Sequence, residues 1–147
     1  GPTKIQLYGP DVRRPGDVVQ TQYASTSTQF QTTSATMVTT GFAVSITPTS
    51  AANLVQGTMT WNGAVGTGGV SIAAQLQRSG TQKGNNSFMT PAGAGQFWTS
   101  FVEFFEAPGS AASITYTAFL QSNGVATASF CVTGSGICQI KVQEIMS

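Results

Sequence analysis

Apolar and polar residues alternate through a series of short segments in this chain, each bounded by turn residues at intervals of about ten positions. Over 54–61, Val55, Gly57, Met59 and Trp61 point one way while Leu54, Gln56, Thr58 and Thr60 point the other, the period of two that a half-buried strand requires. Phe42, Val44 and Ile46 mark one face of a strand over 37–46, and Pro48 ends it because proline has no amide hydrogen for a ladder. Further strands are expected over 18–23 after the Pro15-Gly16 turn, over 70–78, 97–106, 113–121 and 125–132, and over 137–145. The polar, glycine-punctuated stretch 80–95 reads as an exposed loop with one short strand around Ser87, Phe88 and Met89. No window carries apolar residues at the i, i+3, i+4, i+7 positions of a helix without a Gly, Pro or Thr/Ser interruption.

Three hairpins are expected from this spacing. The first joins 54–61 to 70–78 across the glycine-rich 63–69, the second joins 113–121 to 125–132 across Asn123-Gly124, and the third joins 130–133 to 137–145 across Gly134-Ser135-Gly136. The segment 97–106 has large groups on both faces and is expected to be covered on both sides, by the second sheet and by either a loop or another subunit. About nine short antiparallel strands with turns between them predict an all-β sandwich of jelly-roll type. An immunoglobulin-like sandwich is the alternative, but the Cys and Trp spacing of those domains is missing. The chain divides into an extended N-terminal arm over 1–15 and a single sandwich over 16–147, a size for which one core suffices.

Composition changes the picture in one direction. Only 7% of the 147 residues are charged, so solubility rests on Gly, Ser, Thr, Gln and Asn, a surface closer to secreted or particle-borne β-proteins than to cytosolic enzymes. Six basic and five acidic residues leave a net charge of +1, too little clustered positive charge for a nucleic-acid partner. Arg13 and Arg14, with Lys4 nearby, read as a solvated group in the arm. No apolar run reaches the ~20 residues that span a bilayer, so membrane insertion is not expected, nor does a charged leader precede an apolar stretch.

Candidate chemistry is sparse. The absence of histidine removes the usual general base at neutral pH and every Ser/His or Cys/His arrangement. Glu103 and Glu106 are three apart on one strand, so they face opposite ways and cannot form a glycosidase pair; one is expected at an interface or beside Arg78 or Lys141. No phosphate-cradling loop or cofactor motif is present, and two thiols without histidine cannot complete a tetrahedral metal site. A turn at Gly134-Ser135 sets Cys131 opposite Cys138, where they either form a disulfide or remain two buried free thiols; a register shift of one residue would separate them. No enzymatic activity is expected.

Three blocks carry a family likeness: Gly16-Asp17-Val18-Val19-Gln20-Thr21-Gln22-Tyr23, Thr40-Gly41-Phe42-Ala43-Val44-Ser45-Ile46-Thr47-Pro48-Thr49-Ser50-Ala51, and Ile140-Lys141-Val142-Gln143-Glu144-Ile145-Met146-Ser147. Together with the Thr115-Tyr116-Thr117 strand, this pattern resembles small virion proteins of tailed bacteriophages. The resemblance implies a tail-fibre, head-fibre or decoration domain in a virion, with a jelly-roll fold and threefold assembly. Other virion proteins would be its neighbours. Independently of that likeness, Trp98, Phe101, Phe104 and Phe105 exceed what one small sandwich must bury and are expected at a subunit interface; that the assembly is a homotrimer is what the resemblance implies. If the loops 62–69 and 83–94 meet a host-surface carbohydrate, Trp61 is the stacking platform and Arg78, Asn85 and Asn86 the donors. The competing readings are a capsid-binding decoration or scaffold module with no external ligand, and a free carbohydrate-binding module.

Overall fold

The computed structural model describes residues 13–147. The expected arm therefore falls outside the described residues except for 13–15, as do Lys4 and Asp11. Ten strands follow one another in this span with no helix among them: β1 (Val18–Thr26), β2 (Phe30–Thr32), β3 (Val38–Ile46), β4 (Leu54–Val65), β5 (Ile72–Arg78), β6 (Thr81–Met89), β7 (Phe97–Glu106), β8 (Ile114–Gln121), β9 (Ala128–Phe130) and β10 (Cys138–Ile145). All pairings are antiparallel.

The strands form two sheets. In the front sheet, β10 and β9 lie end to end along the same side of β4, since Gln139 faces Thr60 while Phe130 faces Gly63. Both are therefore halves of one interrupted strand, and β1 and β2, which pair with β10 and β9 in turn, are halves of another. With those halves joined, the front sheet runs β1/β2, β10/β9, β4, β7 and the back sheet β3, β8, β5, β6. Eight effective strands that cross between two four-stranded sheets at every connection but β5 to β6 make a jelly roll, as expected.

Three expected connections are corrected. Segments 54–61 and 70–78 are no hairpin: β4 lies in the front sheet and β5 in the back one. The true hairpin is β5–β6, turned by Ser79 and Gly80 at φ 53° and 79°, the signature of a two-residue type I′ turn. It makes a full strand of 81–89, where only Ser87 to Met89 had strand character, because this edge strand carries polar side chains on much of its length. Asn123-Gly124 passes the chain between sheets, with the Asn123 Oδ1 accepting from the amides of Val125 and Ala126. Finally, residues 130–133 and 137–145 do not pair with each other, because both halves pair with β4.

The core lies between the sheets. Trp61 stacks on Phe130 at 5.5 Å and Phe104 on Tyr116 at 4.5 Å, with Met59, Leu76, Leu120, Ile140 and Val142 filling the space around them. The Trp61 indole N–H donates to the Ser87 hydroxyl at 2.9 Å, so the buried ring has no unpaired donor. Gly57 sits where a Cβ would enter the Phe104 ring, and this lets β4 and the aromatic pair pack closely. At the β6–β7 side the two sheets meet: the Asn85 amide donates to the Phe101 carbonyl and its Oδ1 accepts from the Glu103 amide, while Gly84, at φ 79°, leaves no Cβ to strike the β7 backbone.

Candidate binding face

The outer face of the front sheet is open among the described residues. Register places its side chains in rows across the strands. One row is Thr21, Gln143, Gln56 and Phe105; the next is Tyr23, Lys141, Thr58 and Glu103; the third is Ser25, Gln139, Thr60 and Phe101. Apart from Tyr23, Phe101 and Phe105, these are polar residues of strands whose other face fills the core, and alternation sends all of them outward.

The rows differ in how far they are satisfied internally. In the first, the Gln56 amide donates to Gln143 Oε1 at 2.8 Å and the Gln143 amide to Thr21 Oγ1 at 3.3 Å, a chain that fixes both glutamines. In the second, neither the Lys141 amine nor the Glu103 carboxylate has an ion-pair or hydrogen-bond partner among the described residues. Two shallow depressions share Thr58 and Lys141: one of about 490 Å³ bordered by Gln56, Glu103, Phe105 and Gln143, and one of about 340 Å³ bordered by Tyr23, Thr60 and Gln139. Tyr23 (61% exposed), Phe101 (55%) and Phe105 (61%) stand at the two sides of this polar centre.

The carboxylates expected to matter lie elsewhere. Glu106 turns inward between the sheets, where Oε2 accepts from Arg78 Nε at 2.8 Å and from the Tyr116 hydroxyl at 2.7 Å, and Oε1 accepts from Arg78 Nη2 at 2.9 Å and Lys83 Nζ at 3.1 Å. Burial pushes its carboxyl pKa up, but the bonds from Arg78, Tyr116 and Lys83 outweigh that and hold it at about 2. Tyr116 is raised by its burial and by Glu106. Glu144, which sequence reasoning left without a role, is fully buried and accepts four bonds: from Gln20 Nε2, from the Thr49 amide and hydroxyl, and from Asn53 Nδ2 at 2.7 Å. Burial opposes its ionisation, yet the donors from Gln20, Asn53 and Thr49 together keep its pKa below the ordinary value. Its place at an inward position of the last strand was visible in the alternation, but the donors come from segments distant in sequence.

The expected contact residues divide. Trp61 is a correction: it is wholly buried against Phe130 and presents no face to a ligand. Arg78 is committed to Glu106, Asn85 ties β6 to β7, and Asn86 Oδ1 accepts from the Gln75 amide at 2.7 Å, so the structure does not gather these three around a common ligand. Phe104, at 7% exposure, belongs to the core rather than to an interface, because it shares the inward face of β7 with Val102. Phe101 and Phe105 lie on the outward face with Phe97, where no loop of the described residues covers them, while Trp98 is 44% exposed near the start of β7.

Cys131 and Cys138 are buried free thiols flanking the loop 132–137 that interrupts the strand. They do not face each other across a hairpin as expected. They are brought together because the loop between them is extruded from the ladder, where Asn62 Oδ1 accepts from the Val132 amide and the Ser135 hydroxyl. Burial, then the contact with Cys131, pushes the Cys138 thiol up to about 12, far from a reactive thiolate. Among the described residues no group of three or more Cys, Asp or Glu side chains is placed to hold a metal ion.

Fold and face together define a jelly-roll domain whose front sheet has an uncovered outer face among the described residues. No family model and no curated protein sequence matches the chain. Solved structures similar to it include VP2 of the infectious bursal disease virus subviral particle, 9% identical over 88% of this chain and 38% of that one with a TM-score of 0.45. The D431N mutant VP2 of the same virus, in T=1 particles, is 10% identical over 96% of this chain and 40% of that one, with a TM-score of 0.47. A structure described as "CBM4 structure and function" is 11% identical over 83% of this chain and 94% of that one, with a TM-score of 0.37. The chain thus spans about two fifths of the VP2 chains. The jelly-roll assignment rests on the strand order given above.

Proposed function

We propose that this domain is a non-enzymatic structural and adhesive part of a virion, of the kind carried by tailed phages, and that it works in several copies. The observation that carries this reading is the set of large side chains left in solvent along the β6–β7 side: Phe88, Phe97, Trp98, Phe101 and Phe105. On a chain with 7% charged residues, such a concentration of exposed rings marks a surface meant for contact. Phe97 and Trp98 at the start of β7, with Phe88 on β6, form the border through which sister copies would join, and a closed ring would also protect the sheet edges from uncontrolled pairing. The resemblance of the strand pattern to small phage virion proteins favours the virion setting. The ion-paired state of Glu106 and the caged state of Glu144 support a role without catalysis, since neither carboxylate is free to move a proton.

Native mass spectrometry of the full chain at micromolar concentration tests the reading. A trimer is expected, and Trp98→Ser combined with Phe88→Ser should shift it toward monomer with the circular-dichroism spectrum unchanged. A wild-type chain that stays monomeric, or one that releases reducing ends from a polysaccharide, would overturn it.

A further inference from the structure

The open face of the front sheet has a composition that an interface between identical subunits does not favour. Its centre holds Lys141 and Glu103, both without side-chain partners among the described residues, on either side of Thr58. Burying these groups under a sister copy would strip water from two charges unless each met a new partner, and interface centres are depleted in lysine and glutamate for that reason. A ligand rich in hydroxyl groups avoids this cost, because each hydroxyl both donates and accepts. It can therefore accept from the Lys141 ammonium and donate to the Glu103 carboxylate while the site stays partly wet.

The rings complete the argument. Tyr23 stands on β1 at one side of the polar strip, and Phe101 and Phe105 stand on β7 at the other. Three interstrand spacings separate β1 from β7, a span of ~14 Å. Flat aromatic surfaces at both ends of a polar trough suit a chain whose units present apolar C–H faces and polar edges by turns, as pyranoses do. The first row, locked by its own Thr21–Gln143–Gln56 hydrogen bonds, provides a firm margin on one side. Lys141 and Glu103 cancel, so the local field favours a neutral ligand over an acidic one.

We propose that the outer face of the front sheet binds a neutral glycan chain, laid across the strands from Tyr23 to Phe101 and Phe105, with Lys141 donating to its hydroxyls and Glu103 accepting from them. This rests on the reading of the domain as a displayed adhesive module and replaces the loops with a sheet face as the contact. Copies in an assembly would raise a weak single-site affinity through avidity.

The test is binding of the full chain to an array of immobilised neutral and acidic bacterial polysaccharides, with native mass measured on the same samples. Neutral glycans should give the signal, and Tyr23→Ala and Phe105→Ser should each lower it at least tenfold. Glu103→Gln should lower it less, and Val125→Ser, in the exposed connection between β8 and β9 and outside both surfaces, should leave it unchanged. Binding of acidic glycans alone, no binding to any neutral glycan, or binding indifferent to Tyr23→Ala and Phe105→Ser would overturn the inference. So would dissociation of the oligomer by Phe105→Ser, which would identify a sister copy as the occupant. A trimer that binds no neutral glycan removes this inference and leaves the structural role standing, whereas a monomer that binds one removes the multi-copy role.

Discussion

Glu106 is the residue whose environment translates most directly into a measurable property. Its carboxylate accepts from two cations and a phenol between the sheets, and its pKa of about 2 lies below the ordinary value of 4.5. A group depressed in the folded state stabilises the fold fully above its unfolded value, and that stability disappears as the pH falls through the folded one. The native state should therefore lose stability between about pH 4.5 and pH 2, with Glu144 adding to the same slope. Glu106→Gln removes one part of this dependence and leaves Arg78 and Lys83 facing an amide, at a cost of about 2 kcal/mol at neutral pH. Urea unfolding of both proteins from pH 7 to pH 2 should show the two curves converging on the acid side. A gap that stays constant would mean that the carboxylate is not held in the ionised form by this cluster.

At the scale of the element, β7 shows what one side chain can do for an edge. The strand pairs with β4 on one side only, and on the other its Phe101 carbonyl and Glu103 amide are met by Asn85 from the opposite sheet. Asn85→Ala should cost about 1–2 kcal/mol and expose that edge to pairing with another chain. Chemical denaturation gives the first quantity and light scattering at 37 °C the second; an unchanged midpoint would show that Gly84 packing alone closes the sandwich. The element scale also separates what alternation could reveal from what it could not. The strands of 37–46, 54–61 and 113–121 were readable because one face of each is apolar, and β6 was hidden because Lys83, Asn85 and Asn86 occupy an edge that asks for little burial. Alternation tells which side chains are buried but not which sheet receives them, so two sheet crossings looked like hairpins. Asn123-Gly124 misled for a related reason, since its asparagine caps local amides rather than a two-residue hairpin turn. Phe101, Phe105, Lys141 and Gln139 could be assigned outward positions from period two, but only the register of four strands shows that they share one face.

For the molecule as a whole, the consequence of jelly-roll topology is cooperativity. With the interrupted strands counted as one each, every connection but one crosses between the sheets, so neither sheet can bury its apolar face without the other. The loops at one end add to this: the Gly66 amide donates to the Thr127 carbonyl, Gly69 to Pro91, Gly95 to Val65 and Ser122 to Ser34, linking four separate connections through their backbones. Partners this distant in sequence must be assembled together, which predicts slow folding, on the scale of milliseconds to seconds, and a single transition. The two tryptophans provide the probes. Trp61 lies wholly inside, stacked on Phe130, while Trp98 is partly in water at the edge. In Trp98→Phe, fluorescence reports the core through Trp61 alone, and far-ultraviolet circular dichroism reports both sheets. The two signals should give one denaturation midpoint, because separating the sheets exposes Trp61 at the moment it removes the support of every strand. A core signal lost at lower denaturant than the strand signal would mean that the sheets persist apart, and that the interlocked loops rather than the shared core hold them.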